Sequence, residues 1–170
     1  FDTVSVDYER SVVMIGQREF PFEPGSETSG RKKNVYKLSG QERVLKIVKR
    51  NNRNLHNIFK SLYQTVERQE ILREFGVPHA ALVESDPNGP PYRYVVQENV
   101  RGISAAGLIL NDGLTEEDVR QIASIVNVFE KGKLWQLDTN PFNWMRTTGE
   151  EGKTQMVYVD GKVYRYDEDW

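Results

Sequence analysis

The sequence predicts an α+β fold in two packed parts, antiparallel strands with one main helix first, then a helix, a loop and short strands. Three observations carry this. Apolar residues alternate in short runs broken by turn residues, the pattern of half-buried strands. Two longer stretches, about Arg53 to Phe75 and Thr115 to Lys131, repeat their apolar positions at three and four, as helices do. With 170 residues and 38% hydrophobic content, the chain can build one domain with a core of its own.

Each element has a local reason. Phe20 and Phe22 alternate with polar or turn residues, which suits a short strand, and Pro24 to Gly30 is a loop of small residues. Asn34–Leu38 and Arg43–Lys49 read as a hairpin, because Ser39-Gly40-Gln41 supplies turn chemistry. In the first helix Leu55, Ile58, Phe59, Leu62 and Val66 share a face, and Gly76 and Pro78 stop it. Ala80–Glu84 and Tyr92–Glu98 read as strands joined by the turn Asp86-Pro87-Asn88-Gly89-Pro90-Pro91. Thr115 with Asp118 three later resembles a capping box, and Ile122, Ile125, Val126 and Phe129 form the stripe of the second helix. After irregular residues to Phe142 come short strands at Asn143–Thr147, Gln155–Val159 and Val163–Tyr166.

Composition excludes several functions. With no cysteine there is no disulfide scaffold, thiol nucleophile or Cys-ligated metal. Two histidines 23 residues apart make a His-rich metal site improbable, and no apolar run is long enough to span a membrane. Net charge is only −2, yet nine basic residues and one acid lie between Arg31 and Arg53. That stretch reads as the solvated face of a hairpin before it reads as a nucleic-acid grip.

Four features can carry chemistry. Gly25-Ser26-Glu27-Thr28-Ser29-Gly30 lets backbone N–H groups approach phosphate oxygens, although most such loops are only turns. Lys46, inside Val44-Leu45-Lys46-Ile47-Val48, needs an anion on its face of the sheet, unless it lies at a sheet edge. The helix that follows offers Glu67 and Glu70; Glu67, with Ile71 four residues on, is preferred for the inward face. Asp138 and Asn143 can serve one site as proton acceptor and metal-ligating amide, or can belong to an Asp/Asn/Pro turn. Asp160, at the end of Met156-Val157-Tyr158-Val159, suits a hard cation, while Asp160-Gly161 is also a strong hairpin signal.

Taken in order, the four resemble the protein kinase fold. Gly25, Ser26 and Gly30 look like its glycine-rich loop, Lys46 like its strand-three lysine, Asp138 and Asn143 like D-x-x-x-x-N, and Asp160 like the Asp of D-F-G. Val95 to Gly102 resembles the strand-five-to-hinge segment, where the Glu98 carbonyl and Val100 N–H meet adenine. The resemblance implies a minimal bilobal domain over residues 1–170, with an N-lobe of about 1–98, a hinge near 98–102 and a truncated C-lobe of about 103–170. It implies ATP in the seam between the halves, with Lys46 and Glu67 orienting its phosphates. Asn143 and Asp160 would hold Mg²⁺ and Asp138 would act on a protein Ser/Thr hydroxyl.

The pattern also departs from the family. Gln136-Leu137 replaces His-Arg before Asp138, Asn140 stands where a lysine is usual, and Gly161 follows Asp160 directly, leaving Asp167 as a weaker alternative. Nine residues follow Gly161, with no A-P-E motif. This resembles the minimal kinases of bacterial type III secretion, the compact HopBF-type effectors above all. That likeness implies a monomer delivered from the bacterium into the host cytoplasm. It implies a host protein substrate, the ninety-kilodalton heat-shock chaperone being the candidate, and neither membrane nor nucleic acid as partner. A pseudokinase or ATP-binding interaction module, a small-molecule phosphotransferase and a nucleic-acid-binding module are the alternative readings.

Overall fold

In a computed structural model, which describes residues 4–30, 33–48, 55–132 and 134–167, the alternation of apolar and polar residues has become sheet. β1 (Val4–Asp7), β2 (Val12–Ile15) and β3 (Arg18–Pro21) form an antiparallel meander. β4 (Thr28–Ser29), β5 (Lys33–Lys37), β6 (Arg43–Val48), β7 (Leu82–Ser85) and β8 (Tyr94–Glu98) form a five-stranded antiparallel sheet in the order β4-β5-β6-β8-β7. Because side chains alternate across a strand, Tyr36, Leu45, Ile47, Tyr94 and Val96 bury one face of this sheet against Val13, Phe20 and Phe22. Gly40 turns the β5–β6 hairpin at φ +68°, a conformation that side chains disfavour.

Residues 1–63 and 81–99 form one compact unit, and residues 64–80 and 100–170 a second. The second has its own core of Leu72, Phe129, Leu137, Trp144, Met156, Tyr158 and Val163. Helix α1 (Leu55–Glu67) is followed by α2 (Gln69–Glu74), so the single helix expected from Arg53 to Phe75 is two. The apolar spacing widens from Val66 to Ile71, and the chain breaks at Arg68. Its guanidinium donates to the Val163 carbonyl at 2.8 Å and lies over Trp135. Then come β9 (Ile103–Ser104), α3 (Ala105–Leu110), α4 (Glu116–Glu130), β10 (Trp135–Leu137), β11 (Trp144–Thr148), β12 (Thr154–Tyr158) and β13 (Val163–Arg165).

The capping box of α4 is present: Thr115 Oγ1 accepts from Asp118 N–H, and the Asp118 carboxylate accepts from Thr115 N–H at 2.9 Å. Two sheets complete this unit, β12-β11-β9 and β10-β13, both antiparallel. Expectation and structure differ most where elements are shortest. β1, β2, β10 and α3 have no counterpart in the sequence reading, since three to six residues are too few for periodicity to register. Among the described residues no helix is long and apolar enough to cross a membrane.

Candidate functional site

Lys46 stands on β6, the central strand of its sheet, between Val35 of β5 and Val95 of β8. The edge-lysine alternative is thereby removed. Leu45 and Ile47 enter the core, so Lys46 lies half-buried on the opposite face. Gln97 shares that face, because Val44 pairs with Gln97 as Lys46 pairs with Val95. Gln97 is fully buried, and neither amide atom has a hydrogen-bond partner among the described residues. Buried amides left unbonded are costly and rare. The sequence reading gave Gln97 no role; a glutamine in the apolar run Tyr94-Val95-Val96 was the available signal.

The small-residue segment is a bent strand arm. Gly25 takes φ +76°, and Ser26 N–H closes a turn on the Glu23 carbonyl at 3.0 Å. Thr28 and Ser29 already pair with β5. The hairpin closes at Gly30, whose N–H donates to the Lys33 carbonyl at 2.9 Å. Ser26 Oγ accepts from Lys37 N–H, and Glu27 accepts from the hydroxyls of Tyr36 at 3.1 Å and Tyr8 at 3.3 Å. Burial first, and then its hydroxyl and carboxylate neighbours, pushes the Tyr36 phenol far above its ordinary value, so it remains a donor. Arg31, Lys32, Lys49, Arg50 and Arg53 of the basic stretch lie outside the described residues.

Glu67 ends α1 exposed, not on the inward face expected of it, and the Glu70 carboxylate is engaged by Arg73 on its own helix. Glu98 ends β8, its carboxylate accepting from Ala81 N–H at 3.3 Å, and Val100 follows half-buried in the second unit.

The second unit brings Asp138, Asn143 and Asp160 to one place. β10 ends at Leu137, which pairs with Val163 at the start of β13. Asp138 and Lys162 are therefore the next positions outward on the two strands, facing each other across the mouth of the ladder. Tyr158, 0% exposed, links them: its hydroxyl accepts from Asp138 N–H at 3.3 Å and donates to the Lys162 carbonyl at 2.7 Å. Burial, followed by the Asp160 charge, raises this phenol well above its ordinary value, which keeps it a donor. Asp138 Oδ1 accepts from Asn140 N–H, and the Asp138 carbonyl accepts from Trp144 Nε1 at 3.2 Å. Asn143 closes a 3-10 turn, Pro141–Asn143, capped by Asn140, and its carbonyl accepts from Val159 N–H at 2.9 Å, one residue before Asp160.

Asp160 pairs with Lys162 Nζ at 3.3 Å, with side chains 14% and 13% exposed. Burial would lower the Lys162 pKa; Asp160 and Tyr164 beside it together outweigh that and hold it up at about 12. The hairpin alternative for Asp160-Gly161 fails, because β12 pairs with β11 while β13 pairs with β10. Gly161, at φ +77°, turns the chain between two sheets. Asp167 is exposed and paired with Arg165 at 3.1 Å.

Among the described residues no three His, Cys, Asp or Glu side chains cluster to hold a metal by themselves. Magnesium does not ask for that: one or two hard oxygen ligands and substrate phosphates suffice, and the Asp160 carboxylate and Asn143 amide offer such donors. A cavity of about 730 Å³ lies elsewhere in this unit, between α4 (Glu117, Arg120, Gln121) and the β11–β12 hairpin (Thr147, Lys153, Gln155). It contains none of the candidate residues.

No protein-family model matches the chain, and no curated protein does. Solved structures do. WbdD, a bifunctional kinase-methyltransferase, is similar at a TM-score of 0.60 and 15% identity, over 94% of this chain and 36% of that one. The PknI kinase domain of Mycobacterium tuberculosis is similar at 0.50 and 16% identity, over 81% of this chain and 60% of that one. The fold is kinase-like. The chain in complex with erythromycin, Rv3197 from Mycobacterium tuberculosis, is also similar, at 0.55 and 16% identity, over 85% of this chain and 46% of that one. This chain thus spans about a third of the length of WbdD.

Proposed function

We propose that this protein transfers the γ-phosphoryl group of Mg-ATP to a Ser/Thr hydroxyl of a protein. The observation that carries the reading is that Asp138 N–H bonds the Tyr158 hydroxyl while the Asn143 carbonyl holds Val159 N–H, one residue before Asp160. Asp138 and Asn143 share one local turn through Asn140, whereas Asp160 arrives beside it from beyond the end of β12. The kinase-like fold supports the same reading.

Each residue has a defined task. Asp138 accepts the proton of the acceptor hydroxyl as its oxygen bonds to phosphorus and ADP departs. Its backbone is fixed from both sides, by Tyr158 at the N–H and Trp144 at the carbonyl, so the carboxylate needs little reorganisation. Asp160 and Asn143 would hold Mg²⁺, which offsets charge on the transferring group. Lys46, with Glu67 as its counter-charge, engages the α- and β-phosphates; the backbone of Gly25, Ser26 and Gly30 covers them; Glu98 and Val100 meet the adenine edge. The finer setting follows the sequence resemblance: a monomeric effector of the HopBF type, secreted into the host cytoplasm, with a host protein, the ninety-kilodalton chaperone first, as substrate.

The test is incubation of the protein with γ-labelled ATP, Mg²⁺ and host cytosol, or the purified chaperone. Label on protein serine or threonine is expected, with Asp138→Asn reducing it at least about 100-fold. No label on any protein, or equal label with Asp138→Asn, sinks the reading. Label confined to small molecules moves the acceptor to a small-molecule hydroxyl.

A further inference from the structure

The family pattern places a lysine two residues after the catalytic aspartate, and Asn140 stands there instead. Asn140 cannot take over that charge. It is neutral and exposed, and its side-chain oxygen accepts from Phe142 N–H at 3.0 Å as the cap of the 3-10 turn. A phosphoryl group in transfer spreads negative charge over its oxygens, and a site lacking one cation must find it elsewhere.

The chain holds a cation beside Asp160 by another route. Lys162 occupies the position facing Asp138 across the mouth of the β10–β13 ladder. Its carbonyl is fixed by the Tyr158 hydroxyl, the group that also fixes Asp138 N–H. Its stem lies by the Tyr164 ring, with Nζ 5.7 Å from the ring centre, and its ammonium reaches the metal-side carboxylate, Asp160. An ammonium is a compact point charge with three donors, so with Asp160 and the Tyr164 hydroxyl as partners one donor is left for phosphate.

We propose that Lys162 is the residue that binds the γ-phosphate in this protein, taking the place of the lysine missing after Asp138. The proposal rests on the nucleotide reading above. It goes beyond it in assigning the γ-phosphate cation to the strand after Asp160 rather than to the loop after Asp138. The rival is an ion pair that merely holds Asp160 in place, and the two roles separate on the last phosphate.

The experiment is calorimetric binding of Mg²⁺ complexes of ADP and of the β,γ-imido analogue of ATP to the full chain, wild type and Lys162→Gln. A lost charged hydrogen bond to the γ-phosphate weakens the triphosphate about tenfold to a hundredfold, with the diphosphate within about threefold. Equal weakening of both ligands assigns Lys162 to Asp160 alone and overturns the proposal, as does a lower melting temperature with unchanged affinities. If Lys162→Gln does not fold, Lys162→Arg decides. It keeps the charge and the Asp160 pair but displaces the donors, so the triphosphate-to-diphosphate preference should fall at least about threefold; an unchanged preference overturns the proposal. Wild type that binds neither ligand removes the nucleotide reading itself, and this assignment with it.

Discussion

Asp118 shows how one side chain can serve two structures. Its carboxylate closes the α4 capping box and accepts from Arg146 of β11 at 3.0 Å, with the carboxylate 1% exposed. Burial alone would raise its pKa; the Thr115 N–H and hydroxyl and the Arg146 guanidinium together bring it below the ordinary 3.8. A carboxylate with a depressed folded-state pKa stabilises the fold above the unfolded value, and that stability is lost as pH falls through the folded one. Asp118→Asn should therefore cost about 3 kcal/mol at neutral pH, since it leaves Arg146 facing a neutral group. The gap between variant and wild type in urea melts should close as pH drops below about 4; a constant gap would mean that the charge is not what matters. Gln97 is the opposite case. An amide with no partner costs about 1–3 kcal/mol, so Gln97→Met should raise the melting temperature by roughly 2–4 °C per kcal/mol recovered. A fall instead would reveal a bound water.

At the scale of elements, close approaches and caps decide where the chain can go. Gly102 lies against β11 so tightly that a Cβ there would sit 2.2 Å from the Arg146 carbonyl oxygen. Gly102→Ala must push β9 from β11 and should cost about 1–3 kcal/mol by chemical denaturation; an unchanged midpoint would mean that the segment gives way freely. Local signals of this kind were partly legible beforehand. Thr115 and Asp118 announced α4, and Ser39-Gly40 the β5–β6 hairpin, because their chemistry acts within four residues. The break at Arg68 was not legible, because its cause, the Val163 carbonyl and the Trp135 ring, lies far along the chain. Asp138, Asn143 and Asp160 were nameable as candidates through their resemblance to family motifs, and no such motif points to Lys162. Nothing local distinguishes a lysine after Asp-Gly from a solvated one, and the strand pairing beside it, Val163 with Leu137, joins residues far apart along the chain.

At the scale of the whole molecule, the residues assigned to the nucleotide are divided between two units, Lys46 in one and Asp138, Asn143 and Asp160 in the other. A ligand that binds only the native arrangement stabilises it by mass action, by about 2.7 kcal/mol at 100 times Kd. For a chain of this size that is a rise of roughly 5–10 °C in melting temperature. Mg-ATP should produce this rise in the wild-type protein, and Mg²⁺ or ATP alone should produce less. If the proposed nucleotide is one ligand for both residues, Lys46→Ala and Asp160→Asn should each abolish most of the rise, whatever their own starting stability. If only one substitution has that effect, the ligand belongs to a single unit, and the other unit's residue must be reassigned. If neither does, the two units share a kinase-like fold without sharing a nucleotide.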